Sequence, residues 1–123
     1  LQSLFQIPPG IASTAPTFHD AKQEAADAGK WLLVNIQDSD SFNCARLNRD
    51  TWSDPAVQRY LARSFVLWQQ DISSRNGFLV TTLYKVGRTP YVAAIDPITS
   101  QALVAFTGFL DGPRMSRVLA QFL

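Results

Sequence analysis

The 123-residue chain has little of what catalytic and metal-binding proteins commonly use: one cysteine, Cys44, and one histidine, His19. A lone cysteine excludes an internal disulfide and a four-cysteine zinc site, and a lone histidine excludes every design that needs two imidazoles. No run of about 18 apolar residues occurs, so no segment has the pattern of a membrane-spanning helix. Charge of one sign is missing too. Eleven Lys+Arg against ten Asp+Glu leave a net charge of +1, without the basic excess of a dedicated nucleic-acid binder. The start, Leu1-Gln2-Ser3-Leu4-Phe5, lacks the basic region and apolar stretch of a secretory signal, which together with the single thiol fits a reducing compartment. The chain opens on Leu and stops at Leu123 within an apolar rhythm, as expected of a domain cut from a longer protein.

What is present is ordinary globular composition, 46% hydrophobic and 17% charged, which is enough apolar material for one domain with its own core. Residues 1–16 read as an extended arm, because Pro8-Pro9-Gly10 and Pro16 prevent a helix. This arm is either a linker or a strap whose Leu4, Phe5 and Ile7 dock on the domain that follows, residues 17–123.

Thr17 caps a helix running to Ala28, with Phe18, Ala21, Ala25 and Ala28 on one face and Gly29 as its stop. Trp31 to Ile36 is short and almost wholly apolar, the pattern of a strand buried on both faces. Asp38-Ser39-Asp40-Ser41 breaks that run and caps a short helix over Phe42–Arg49. Ser53-Asp54-Pro55 starts the next helix, where Val57, Leu61 and Phe65 repeat with Tyr60 beside them. Val66–Gln70 is a second strand. Ser73 or Ser74 opens a helix carrying Phe78, Leu79, Leu83 and Tyr84, with Gly87 as its end. Thr89–Ile95 and Ala102–Phe106, joined by the turn residues Asp96-Pro97-Ile98-Thr99-Ser100, form an antiparallel hairpin. Asp111-Gly112-Pro113 starts a last helix with Met115, Val118, Leu119 and Phe122 on its apolar face. Helical crossovers between the first two strands and a turn between the last two predict an α/β fold, a four-stranded mixed sheet with helices on both faces.

That order, with Thr89-Pro90 before the third strand, resembles the thioredoxin fold. More closely, Trp31-Leu32-Leu33-Val34-Asn35-Ile36-Gln37, Cys44, Leu47-Asn48-Arg49-Asp50, Trp52-Ser53, Phe65 and Trp68-Gln69 are similar to the UAS domain of UBX-domain proteins. Tyr84-Lys85-Val86-Gly87, Pro90-Tyr91-Val92 and Ile95-Asp96-Pro97 with Thr99 agree, as do Leu4-Phe5 and Pro8-Pro9 upstream, so the resemblance covers residues 4–123. It implies a larger cytoplasmic or nuclear protein: a ubiquitin-linked adaptor whose UBX domain docks on the valosin-containing AAA ATPase in ubiquitin-dependent degradation. It implies a non-catalytic interaction domain, without a cofactor, and a cis peptide bond at Pro90. Membrane-anchored relatives imply a second reading, sensing of long-chain fatty acids through a basic surface.

The resemblance also locates the redox corner. Aligned with thiol-exchanging relatives, Cys44 falls at the second, resolving position and Ser41 at the first, where the attacking thiolate would be. No local base is evident to activate a serine there, so a small buried cysteine is the simple reading and a one-cysteine thiol oxidoreductase the enzymatic alternative. Ser41, Phe42, Asn43, Cys44, Thr89 and Pro90 are then the candidate walls of a peptide groove. Arg46, Arg49, Arg59 and Arg63 share helical spacings on one side and are the candidate basic patch for acidic partners or fatty-acid carboxylates. Trp31 and Trp68 belong to core strands, and Trp52 is placed to staple a helix cap. His19 beside Asp20 reads as surface, since no Gly-x-Ser-x-Gly elbow accompanies it.

Overall fold

The computed structural model describes residues 6–123, so the expected anchors Leu4 and Phe5 lie outside the described residues. The chain runs α1 (Phe18–Ala28), β1 (Trp31–Gln37), α2 (Phe42–Arg46), α3 (Pro55–Ser64), β2 (Phe65–Asp71), α4 (Arg75–Leu83), β3 (Tyr91–Ile95), β4 (Ala102–Thr107) and α5 (Gly112–Phe122). The four strands form one sheet in the order β2-β1-β3-β4. β1 and β2 are parallel, while β3 is antiparallel to both β1 and β4. This is the expected thioredoxin-like architecture, and the Thr89–Pro90 peptide bond is cis.

Helix ends follow local chemistry. The Thr17 and Asp54 side chains accept from the first-turn N–H groups of α1 and α3, and Asp111 does the same for α5. Gly29 takes a left-handed conformation after α1, and the Gly29 and Lys30 N–H groups close onto Ala26 and Ala25. Gly87 does not end α4. Lys85, at φ 54°, takes the left-handed position itself, and Val86 N–H donates to Thr81 O at 2.9 Å, so the chain has turned before Gly87 is reached.

The helix expected over Phe42–Arg49 is also shorter. It is α-helical only to Arg46; Leu47–Thr51 widens into a π-helical turn before Trp52. In α4 the inward stripe is Gly77 and Val80, with Tyr84 just beyond; Phe78, Leu79 and Leu83 fall off that stripe and are exposed. Ala28, in the last turn of α1, is likewise exposed.

Two apolar layers flank the sheet. On one face Leu32, Val34, Ile36, Val66 and Trp68 pack with Phe18, Ala21, Ala25 and Val80 of α1 and α4. On the other, Leu33, Phe65, Leu67 and Val92 pack with Leu47, Trp52, Val57, Leu61, Met115 and Leu119. Trp52 is thus a fully buried core side chain, beyond the stapling role its position before a cap suggests. The arm crosses from one layer to the other: Ile7 and Ile11 pack on the second layer and Ala15 on the first. On the way it occupies the outer edge of β2, where Ala12 bridges Leu67 and Ser13 N–H donates to Leu67 O at 2.7 Å.

Candidate functional site

The strands set up a polar patch inside the second layer. β1 and β2 run in register, Leu33 beside Leu67, Asn35 beside Gln69 and Gln37 beside Asp71. Alternation sends Leu33, Asn35 and Gln37 to one face, so on that face the lining changes from hydrocarbon to amide at Asn35. The helix above supplies Asn48 from the π-helical turn and the Trp52 indole. Asn35 Oδ1 accepts from Trp52 Nε1 at 3.1 Å, Gln37 Nε2 at 2.9 Å and Gln69 Nε2 at 2.9 Å. Asn48 Oδ1 accepts from the Gln37 and Gln69 Nε2 groups, both at 2.9 Å, and Asn48 Nδ2 donates to Gln37 Oε1 at 3.2 Å. Asn35 Nδ2 donates to Tyr91 O at 3.1 Å and ties in β3. Buried amides cost free energy unless paired, and this arrangement pairs them with one another.

Over this layer lies the loop from β1 to α2 and a cavity of about 490 Å³. Gln37 and Asn48, 7% and 8% exposed, and Gln69 form its amide lining; Ser41, Phe42 and Cys44 stand on its helical side. Asp38, Asp40 and Asp71 complete the wall. The site is fixed from below as well. A Cβ on Gly77 would meet the Asp71 carbonyl oxygen at 1.9 Å, so only glycine lets the first turn of α4 sit directly on the end of β2.

Cys44 is 2% exposed, and its Sγ accepts from Asp38 N–H at 3.4 Å. Ser41 caps α2, its hydroxyl oxygen accepting from Cys44 N–H at 3.4 Å. The N-terminal dipole that could activate a nucleophile is therefore met by a serine acting as an ordinary cap. Of the six corner residues expected together, Ser41, Phe42 and Cys44 line the cavity. Asn43 is exposed and is not among the lining residues. Thr89 and Pro90 precede Tyr91, which pairs with Ile36, so they reach the same end of the sheet but on the β3 side of β1, whereas the cavity opens on the β2 side.

The expected basic patch is divided in its contacts. Arg46 stacks over the Phe109 ring at 4.0 Å and lies 5.9 Å from that of Phe42. Arg49 grips the Asp50 carboxylate through Nε at 2.7 Å and Nη2 at 2.8 Å, and this hydrogen bonding holds the Asp50 carboxyl below its ordinary range. Arg59 and Arg63 instead border a cleft of about 220 Å³ beside Tyr60 and Ser116, between α3 and α5.

Sequence reasoning took Cys44 and Phe42 from motif position but missed the amides. The signal was there: polar residues at Asn35, Gln37 and Gln69 stand at the same phase of two strands otherwise read as core.

Comparisons with known proteins agree with this geometry. Residues 13–97 match the family described as thioredoxin-like. The whole chain is 41% identical to the UBX domain-containing protein 7 homolog of Dictyostelium discoideum and 36% identical to the plant UBX domain-containing protein 7 of Arabidopsis thaliana. It spans only 24% and 26% of those relatives' lengths. A thioredoxin from Thermus thermophilus superposes with a TM-score of 0.77 at 21% identity, covering 86% of this chain and 83% of that one. A thioredoxin-fold protein from Helicobacter pylori gives 0.68 at 16% identity, over 76% and 68% of the two chains. Among the described residues, no helix is long and apolar enough to cross a membrane.

Proposed function

The chain belongs to the thioredoxin-like family, as a domain of the UAS type carried by UBX-domain proteins, and on that premise we propose that it is a non-catalytic protein-interaction domain. Its place is in a ubiquitin-linked adaptor of the valosin-containing AAA ATPase, acting in ubiquitin-dependent degradation in the cytoplasm or nucleus. The observation that carries the reading is the pairing of Ser41 and Cys44. The attacking position of the resembling redox proteins holds a hydroxyl that caps a helix, and the one thiol is buried with its sulfur already accepting a backbone N–H. A hydroxyl without a base cannot take the thiolate's part in disulfide exchange. What remains is a rigid frame that presents the corner around Phe42. The division of the chain follows from the same reading: residues 17–123 form the domain, and residues 6–16 are a strap along the outer edge of β2.

An insulin-reduction assay with dithiothreitol tests the central point. The domain is expected to leave the rate at that of buffer; an acceleration abolished by Cys44→Ala overturns the reading and restores the one-cysteine oxidoreductase. Affinity capture with the domain, set against a Phe42→Ala, Thr89→Ala double variant, tests the location: the same partners should be lost together.

A further inference from the structure

We propose that the cavity between Ser41, Cys44 and the end of β2 receives a positively charged side chain, lysine or arginine, from an extended segment of a partner protein. This rests on the interaction reading above and assigns the chemistry of its ligand.

The charge distribution is the first reason. The chain as a whole is nearly neutral, yet three of its ten acidic residues, Asp38, Asp40 and Asp71, stand in the wall of one cavity. Among the described residues, no lysine, arginine or histidine lines it, and none of the three carboxylates is in an ion pair. Arg46, the nearest cation along α2, is outside the lining: it is held over the Phe109 ring at 4.0 Å and reaches only to 5.9 Å from that of Phe42. The negative charge of this wall therefore has no cationic partner among the described residues.

The second reason is preorganisation. Asp71 Oδ1 accepts from Ser39 N–H at 2.8 Å and Oδ2 from Ser73 N–H at 2.9 Å, with the Ser73 hydroxyl as a further donor. Asp38 Oδ1 accepts from Asp40 N–H at 3.0 Å, and the Asp40 carboxylate accepts nothing from the described residues. Desolvation pushes the Asp71 carboxyl up, but the hydrogen bonds from Ser73 and Ser39 outweigh it and hold it below the ordinary range, so it is charged at neutral pH.

Shape and the neighbouring surface select the kind of cation. Among the described residues, no group of three or more His, Cys, Asp or Glu converges as a metal site would. Asp38, Asp40 and Asp71 instead border a cavity of about 490 Å³, which a long cationic side chain can enter. The cavity also carries Phe42, 65% exposed, an apolar surface that a bare polyamine does not need and that the residues flanking a lysine or arginine can cover. The neutral amides Gln37, Asn48 and Gln69, paired with one another and with Asn35, line much of the floor and add no positive charge of their own.

The test uses the 123-residue chain, labelled with ¹⁵N, and two synthetic peptides: Ala-Gly-Leu-Arg-Leu-Gly-Ala and the same sequence with Glu in place of Arg. The Arg peptide is expected to bind saturably below about 1 mM and to shift the amides of residues 38–42 and 69–71, the Glu peptide to leave them in place. An Asp38→Asn, Asp40→Asn double variant should bind the Arg peptide about fivefold more weakly, and raising NaCl from about 0.05 to about 0.5 M should weaken it in the same direction. Unchanged spectra away from the corner establish that the variant is folded. Equal binding of both peptides, shifts confined to other surfaces, no binding, or spermidine saturating the site while the Arg peptide does not would each overturn the proposal. If both peptides shift the corner and Phe42→Ala abolishes both, the corner is an interaction site and only its charge assignment falls. Insulin reduction by the chain would remove the underlying reading as well.

Discussion

The two faces of the β1–β2 pair are built from the same two strands by different means. On the α1 and α4 side every buried position is hydrocarbon or aromatic: Leu32, Val34 and Ile36 beside Val66 and Trp68. On the α2 and α3 side the lining begins as Leu33 and Leu67 and turns into Asn35, Gln37 and Gln69 under the loop. Burial of hydrocarbon is non-directional and stabilises by area. Paired amides contribute little net energy but hold a fixed geometry, since each misplaced partner leaves a buried donor or acceptor unpaired. One face holds the fold, and the other holds the corner in position.

The sharpest way to break that contrast is to empty the apolar face. Trp68→Ala should cost about 3–5 kcal/mol in urea unfolding, because the buried ring is lost from its stack on Phe18 and cavity terms add to transfer. A loss near 1 kcal/mol would show that this face is not where the stability lies. Asn35→Leu keeps the branched shape but leaves the Trp52 N–H without its acceptor, and should cost about 1–3 kcal/mol, with the side-chain NH₂ resonances of Gln37, Asn48 and Gln69 displaced together. If the variant is as stable as the parent with those resonances unmoved, the amide layer is not a connected unit. Cys44→Ser is expected to keep the fold at about 1 kcal/mol or less, since a hydroxyl can take over the acceptor role toward Asp38 N–H.

The smallest effect is on pH. The folded-state value of Asp71 lies below its ordinary one, so its contribution is complete above the ordinary aspartate range and is lost as pH falls through the lowered value. The acid-side slope of unfolding free energy should accordingly be shallower in Asp71→Asn than in the parent.

Much of the frame was legible in the chain, and for physical reasons. Capping residues such as Thr17, Asp54 and Asp111 act within one turn of themselves, so their roles can be read locally. The buried strands announced themselves by uninterrupted apolar runs. What escaped depended on partners distant in sequence. Asn35 and Gln69 are 34 residues apart, and nothing local reveals that strand register brings them together. The π-helical turn at Leu47–Thr51 was hidden because its sequence suits an ordinary helix. The end of α4 was misplaced for the opposite reason: Gly87 advertised a stop that Lys85 had already made. At the corner, motif position identified Ser41, Phe42 and Cys44, while membership of the cavity for Asp71 and Gln69 became visible only once β2 lay beside β1.

The strap across β2 has a consequence for assembly. A sheet offers two lateral rims on which another chain can be templated, and continuous fibre growth needs both to be vacant. Here one rim is engaged by the molecule's own Ala12 and Ser13, leaving β4, whose six residues carry no charge, on the other. Joining through the β2 rim would consequently have to displace the Ala12–Leu67 bridge, an obstacle that β4, with no charged or proline gatekeeper of its own, does not present.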